Sequence, residues 1–403
     1  MHIVFYILPF PKSFIMKNKV VAAALMVILC NTVGWSQVKN DTISPTVKDL
    51  TFTGTRINPY DAETDTSGKI EFSGYVDAYY ACYTDTASVS TFQKFPTIAP
   101  RSNSFGLNIA QASARYSSPR FRGVITVFAG DVARSAWSPE FSFIQEANAG
   151  FRIGKKVWID AGFFRTHLGL ESIQPRENIT LSIATTTYFE PYYLSGAKLT
   201  WELNSKLTLQ ANVFNSFNGF VENNRNKALG FSMAWQPIKG LSFTYGNILC
   251  EETPGELYGK KTRFYNNLFA VYKRRRITLG AEVNYGTQNH TGINDSQHLA
   301  YMFSSLLAFK YRLTPQLALY TRGEYFADPD EMLTGPVQNE YHQLVGLRVG
   351  GITQGIEYKP IPNSYLRLEG RWLDARKDEH IFLLRNAPSH NRYELLGGLG
   401  LWF

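Results

Sequence analysis

Long apolar runs are nearly absent from this sequence. Past residue 30 none approaches the ~20 residues that a membrane-crossing helix needs, and mean hydropathy is −0.20. A helical membrane protein is thereby excluded. Charge is also sparse, at 18% against roughly 25% for an average soluble chain. Cysteine is rarer still, with Cys30, Cys82 and Cys250 alone in 403 residues. There is no CxxC pair, no HExxH and no Walker loop, so metal, cofactor and nucleotide chemistry have no motif to rest on. The formal charge of +8 is not gathered into a basic stretch interleaved with aromatics, which argues against a nucleic-acid groove. KRRR at 273–276 sits between two strand-like stretches and is expected to be a solvated turn.

The one apolar stretch lies at the start, where two openings compete. Met1–Ile15 has no basic residue ahead of its apolar run. Met16 begins a compact unit of Lys17 and Lys19, an apolar run Val20–Leu29, and Gly34-Trp35-Ser36. Basic flank, apolar core and small residues at minus three and minus one make a secretory signal, so residues 1–36 are expected to be a leader cleaved after Ser36, with Met16 the true start. Its removal takes Lys12, Lys17 and Lys19, and the charge falls from +8 to +5. Cys30 leaves with it, and Cys82 and Cys250 are expected to be unpaired thiols. Residues 37–68, rich in Thr, Asp, Asn and Ser, read as a flexible lead-in.

What the sequence does have is aromatics, 14% of it with 23 Tyr and 28 Phe, and a period of two. From Lys69 onward apolar and polar residues alternate in stretches recurring about every 20 residues. Ile277, Leu279, Ala281, Val283 and Tyr285 alternate with Thr278, Gly280, Glu282 and Asn284, and Leu366, Leu368, Gly370 and Trp372 with Arg367, Glu369 and Arg371. A soluble antiparallel sheet would alternate too. The connections decide. Tight turns are expected at 117–122, 154–156, 204–206, 237–240, 274–276, 313–316 and 360–364, and longer loops at about 83–104, 132–140, 168–192, 215–227, 251–263, 286–299, 327–342 and 374–391. Seven turns and eight loops imply sixteen strands, or fourteen if one hairpin is lost.

That asymmetry predicts an all-β fold, a transmembrane antiparallel up-and-down β-barrel over 69–403 with short periplasmic turns and long extracellular loops. Lipid offers no hydrogen bonds to backbone groups, so a sheet spans only when closed. Aromatic residues at strand ends (Tyr80, Trp201, Trp235, Tyr311, Tyr358, Phe403) would form girdles. The period also assigns candidate pore-lining charges: Arg115, Arg122, Lys198, Glu202, Glu282, Arg322, Glu324, Arg367, Glu369 and Arg371. The last three could form an ion-pair ladder along one strand. Stretches 105–116, 141–153 and 342–358 alternate poorly, as bulges would make them do.

The final stretch YELLGGLGLWF, with Tyr393, Leu399, Leu401 and Phe403 on one face, resembles the C-terminal signature by which outer-membrane barrels of Gram-negative bacteria are recognised by their assembly machinery. GYVDAYYA (74–81), AGFFRTHLGLE (161–171), ENITLSIA (177–184), the Pro191–Gly196 re-entry and NSFNGFVENNRNK (215–227) resemble the OmpL-like outer-membrane β-barrel porin family. The resemblance implies a passive channel for small hydrophilic solutes in the bacterial outer membrane, without enzyme activity or cofactor, with lipid around it and a homotrimer as a possible assembly. In such porins the third long loop narrows the lumen, which makes Glu171, Arg176, Glu177 and Glu190 the candidate constriction. A charge-selective anion porin, and a plugged barrel whose loops bind partners as an adhesin, are the alternatives. Some outer-membrane barrels hold a rim hydrolase site, but His167, Ser172, His290, Ser296 and His298 show no nucleophile and base pattern.

Overall fold

A computed structural model describes residues 68–85, 92–95, 97–222, 226–252, 261–291, 297–335, 337–339, 343–377, 379–385 and 387–403. The expected leader and nearly all of the lead-in, residues 1–67, lie outside the described residues, as does Ser296.

The first strands are β1 (Lys69–Tyr83), β2 (Ser104–Ser117), β3 (Phe121–Ala129), β4 (Ile144–Gly154), β5 (Val157–Arg165), β6 (Tyr193–Asn204), β7 (Leu207–Phe214) and β8 (Ala228–Ile238). They continue with β9 (Leu241–Glu251), β10 (Thr262–Arg274), β11 (Ile277–Gln288), β12 (Ala300–Arg312), β13 (Leu317–Asp328), β14 (Leu347–Tyr358) and β15 (Ser364–Ala375). A small hairpin, β16 (Phe382–Leu384) and β17 (Ala387–Ser389), stands on the last long loop, and β18 (Asn391–Trp402) follows. Leaving the hairpin aside, sixteen strands pair antiparallel, neighbour to neighbour, and β18 pairs with both β15 and β1, which closes the barrel. The seven expected turns are two to five residues long and lie at one rim, with the eight long loops at the other.

Why these residues make these strands is plainest in β11. Val283 and Tyr285 are exposed on the outside, while Glu282 and Asn284 are buried inside. The outer wall repeats this all round, with Phe72, Ile125, Leu307, Leu368 and Leu399 exposed. An arginine or lysine at the middle of that surface would cost about 2–4 kcal/mol. Three alternations that the sequence blurs have two causes. Asn108 is an extra residue on β2 opposite Asp77 and Ala78, and both it and Ile109 turn inward. On β4 the register shifts opposite Thr126 and Val127 and again at Arg152 and Gly154. β14 has no shift; Gly350, Gly351 and Gly355 simply dilute its pattern. Cys82 and Cys250 are free thiols.

Two short helices, α1 (Asp131–Ser135) and α2 (Thr185–Phe189), interrupt the second and third long loops. Among the described residues no helix is long and apolar enough to cross a membrane, so the crossing is made by strands.

Candidate functional site in the barrel lumen

The third loop leaves β5 and returns at β6 through two glycines that face each other, Gly162 and Gly196. Gly162 has φ +133°, and a Cβ on it would lie 2.3 Å from the Ala147 carbonyl oxygen. Only glycine fits so twisted a strand at so close an approach, and pairing continues three residues further, to Arg165 and Tyr193, before the loop departs. Residues 168–192 then run against inward-facing side chains of the opposite wall.

Wall carboxylates hold the loop by its backbone. Glu369 of β15 accepts from the N–H groups of Leu181 (2.6 Å) and Ser182 (3.0 Å), Glu324 of β13 from Thr185 (2.6 Å) and Glu282 of β11 from Leu170 (3.0 Å). Guanidinium groups grip its carbonyls: Arg367 donates to Pro175 (2.8 Å), Thr180 (2.7 Å) and Asn178 (3.1 Å). Arg322, wholly buried, donates to Glu171, Thr180 Oγ1 and the Ser182 carbonyl, each at 2.8 Å. A loop has no ladder of its own, so its polar backbone groups must find partners elsewhere when buried. Here the barrel wall supplies them.

The four loop residues expected to act together are in different settings. Glu171 is buried against Arg322. Glu177 pairs with Arg165 (2.5 Å), whose charge holds its carboxyl below the usual range against the opposing effect of burial. Arg176 lies over the Tyr75 ring, 4.6 Å from its centre. Glu190 is buried and accepts from the Tyr265 hydroxyl at 2.8 Å; burial and the neighbouring Glu282 charge push its carboxyl well above the usual range.

The ten expected lumen charges divide by side. Glu282, Arg322, Glu324, Arg367, Glu369 and Arg371, on β11, β13 and β15, are covered by the loop. The ladder expected along β15 does not form. Arg367 pairs with Glu357 of β14 (2.7 Å), Arg371 with Glu324 of β13 (2.7 Å), and Glu369 is spent on the loop N–H groups. Arg371 reaches across β14 to β13, where the bare Gly351 of β14 leaves room for the Glu324 side chain. On the other side, Arg115, Lys198 and Glu202 of β2 and β6 stay partly exposed beside Gln111, Gln210 and Ser232. Arg122 is buried in a bidentate pair with Asp160 and lies over Trp158.

The period did not disclose that the inner wall is apolar towards the long loops. Phe164, Phe214, Met302, Phe326 and Val349 form one buried cluster with Phe217, Met332 and Phe382 from three long loops. Alternation reports only that a position faces inward. Here loops rather than water meet the wall, and apolar residues suit that. No group of three or more metal-binding side chains is present among the described residues. Of the residues weighed for a rim hydrolase, His167 bonds the Asn247 carbonyl, Ser172 accepts from Arg165, and His298 lies 3.8 Å from Asp330.

Against known proteins, the family model described as "Putative beta-barrel porin-2, OmpL-like" matches residues 69–403, the whole barrel. The chain belongs to that porin family. It is an outer-membrane protein of the Gram-negative type. Solved structures share the fold at low identity. The outer membrane channel DcaP of Acinetobacter baumannii is 11% identical with a TM-score of 0.58, over 84% of this chain and 99% of that one. The anion-selective porin from Comamonas acidovorans is 10% identical with a TM-score of 0.55, over 84% and 100%. OmpF of Salmonella typhi is 14% identical with a TM-score of 0.56, over 83% and 98%. No curated protein matches the sequence.

Proposed function

We propose that this porin-family barrel is a water-filled channel for passive diffusion of small hydrophilic solutes, with residues 168–192 as its constriction. The observation that carries this is the two-sidedness of the lumen. Under the loop, Asn267, Asn284, Arg322 and Thr353 are fully buried. Across from it, Ser113, Arg115, Lys198, Gln210 and Ser232 remain partly exposed, while Gln111 accepts from the loop's Gln174. The path therefore runs along β2 and β6–β8, and the loop's outer edge sets its width. In planar bilayers the refolded protein is expected to give discrete conductance steps that fall as the size of added polyols approaches the bore. A silent membrane overturns the proposal and favours a plugged barrel that binds through its loops.

An anion preference is the second reading, on one observation. Arg152, Arg176 and Lys198 reach the partly exposed side with rings beneath them, and none forms a direct salt bridge among the described residues. Cations along a narrow aqueous path attract anions. Reversal potentials in a salt gradient test it. The Vibrio cholerae protein OmpT, of like fold, was solved in a trimer form. That supports a homotrimer here, and the outward row Tyr393, Leu399, Leu401 and Phe403 supports recognition by the assembly machinery.

A further inference from the structure

We propose that the acidic stretch Asp61–Asp65, just ahead of β1, docks into the barrel mouth at the short-turn rim, against the cations of the inner wall. The inference rests on the channel reading and names a segment of this chain as an occupant of the path.

The mouth is cationic on both sides. Under the inward loop, Lys310, Arg367 and Lys359 share one carboxylate, Glu357, at 2.8, 2.7 and 4.0 Å. One negative charge does not offset three. On the open side Arg122 is matched by Asp160, which leaves Arg115, Arg152 and Lys198, all partly exposed. The carboxylates there are Glu202, Glu71, which is bonded to Lys69 at 2.7 Å, and Glu146, which lies towards the long loops within reach of the Arg165 charge. Water reaches this wall, since Gln210 and Ser232 are partly exposed and Ala234 is exposed. A positive excess facing a confined aqueous space gathers negative charge.

The nearest negative charge is covalently attached. Lys69, the first residue of β1, pairs with Ser117 beside the β2–β3 turn, so the chain enters the barrel from the short-turn rim. Residues 57–68, INPYDAETDTSG, carry Asp61, Glu63 and Asp65 and no Lys or Arg. Spacing of two puts the three carboxylates on one face of an extended chain. At 3.3–3.6 Å per residue, Asp65 reaches up to about 14 Å from Lys69 and Asp61 up to about 29 Å. Arg115 is closer than that reach requires: it stands opposite Glu71, two residues inside Lys69. So short a tether holds the carboxylates at about millimolar effective concentration, and a weak attraction then suffices to fill the mouth.

Two measurements test this on the mature chain. Glu-C protease cuts after Glu63, mass spectrometry reads the cut, and a free peptide of residues 57–68 gives the undocked rate. In the intact chain refolded in detergent the cut is expected to be about tenfold slower or more. Arg115→Gln together with Lys198→Gln should restore most of the rate, with folding checked by circular dichroism. In planar bilayers, Asp61→Asn, Glu63→Gln and Asp65→Asn together should raise the conductance about twofold and the preference for anions with it, and the peptide should reverse the gain from one side of the membrane only. Cleavage of the intact chain at the rate of the peptide, or protection untouched by removing both wall cations, overturns the proposal. Steps of unchanged size and selectivity in the neutralised chain overturn it as well. Protection from cleavage in a chain that gives no steps removes the channel reading and keeps the docking, whereas steps in a chain cut at the free rate remove the docking alone.

Discussion

Arg322→Met should release the inward loop while leaving the barrel intact. The guanidinium makes three 2.8 Å bonds, to Glu171, Thr180 and Ser182, plus a 3.1 Å bond to Ser182 Oγ. Methionine keeps the apolar stem and none of the donors. Removing one partner of a buried ion pair costs about 3–5 kcal/mol. The lower end applies, because Glu171 keeps the Ala184 N–H at 2.6 Å and Glu324 keeps Arg371 at 2.7 Å. About 3 kcal/mol corresponds to roughly 150-fold. The Arg322 backbone stays in its ladder opposite Ala308 and Thr353, so the loss should be confined to the loop. Hydrogen exchange by mass spectrometry reads both parts. Peptides covering 171–187 should exchange about two orders of magnitude faster, and those of β12–β14 at the wild-type rate. Unchanged loop protection would refute the account of Arg322 as the loop's anchor; loss of protection throughout would show that it holds the barrel instead.

Other consequences are checked more simply. Leu368→Arg places a charge on the lipid face, where Leu368 is 48% exposed midway along β15, and should cost about 2–4 kcal/mol in denaturant unfolding from vesicles. Glu190 has its carboxyl raised by burial and by the Glu282 charge, so the folded loop favours the neutral form. Its contribution is present in acid and lost as pH rises through the raised value. Loop exchange should therefore quicken with pH beyond the intrinsic increase, and Glu190→Gln should abolish that excess. Cys82 is partly exposed on the outer face beside Leu395 and Cys250 is buried, so in detergent a small membrane-permeant maleimide should label Cys82 in the native protein and Cys250 only after unfolding.

The barrel was legible because its two signals are local. A strand announces itself by alternation, and a turn by residues such as Pro237-Ile238-Lys239-Gly240. The arrangement of the lumen is not local. Glu171 and Arg322 are separated by 151 positions, and nothing near either names the other. The same holds for Arg371 and Glu324, which is why a ladder within β15 was the natural expectation.

The ring closes at one seam, where Gly74 and Phe403 exchange backbone hydrogen bonds and the Phe403 ring lies across the bare glycine. β1 is made early in synthesis, and the strand that completes it emerges only after everything between them. Until then two raw borders stand open, each ready to zip onto any extended peptide it meets. The architecture therefore demands an escort during export, and a slip of one residue at this fastening would turn Leu399 and Leu401 into the water and Glu394 into the oil.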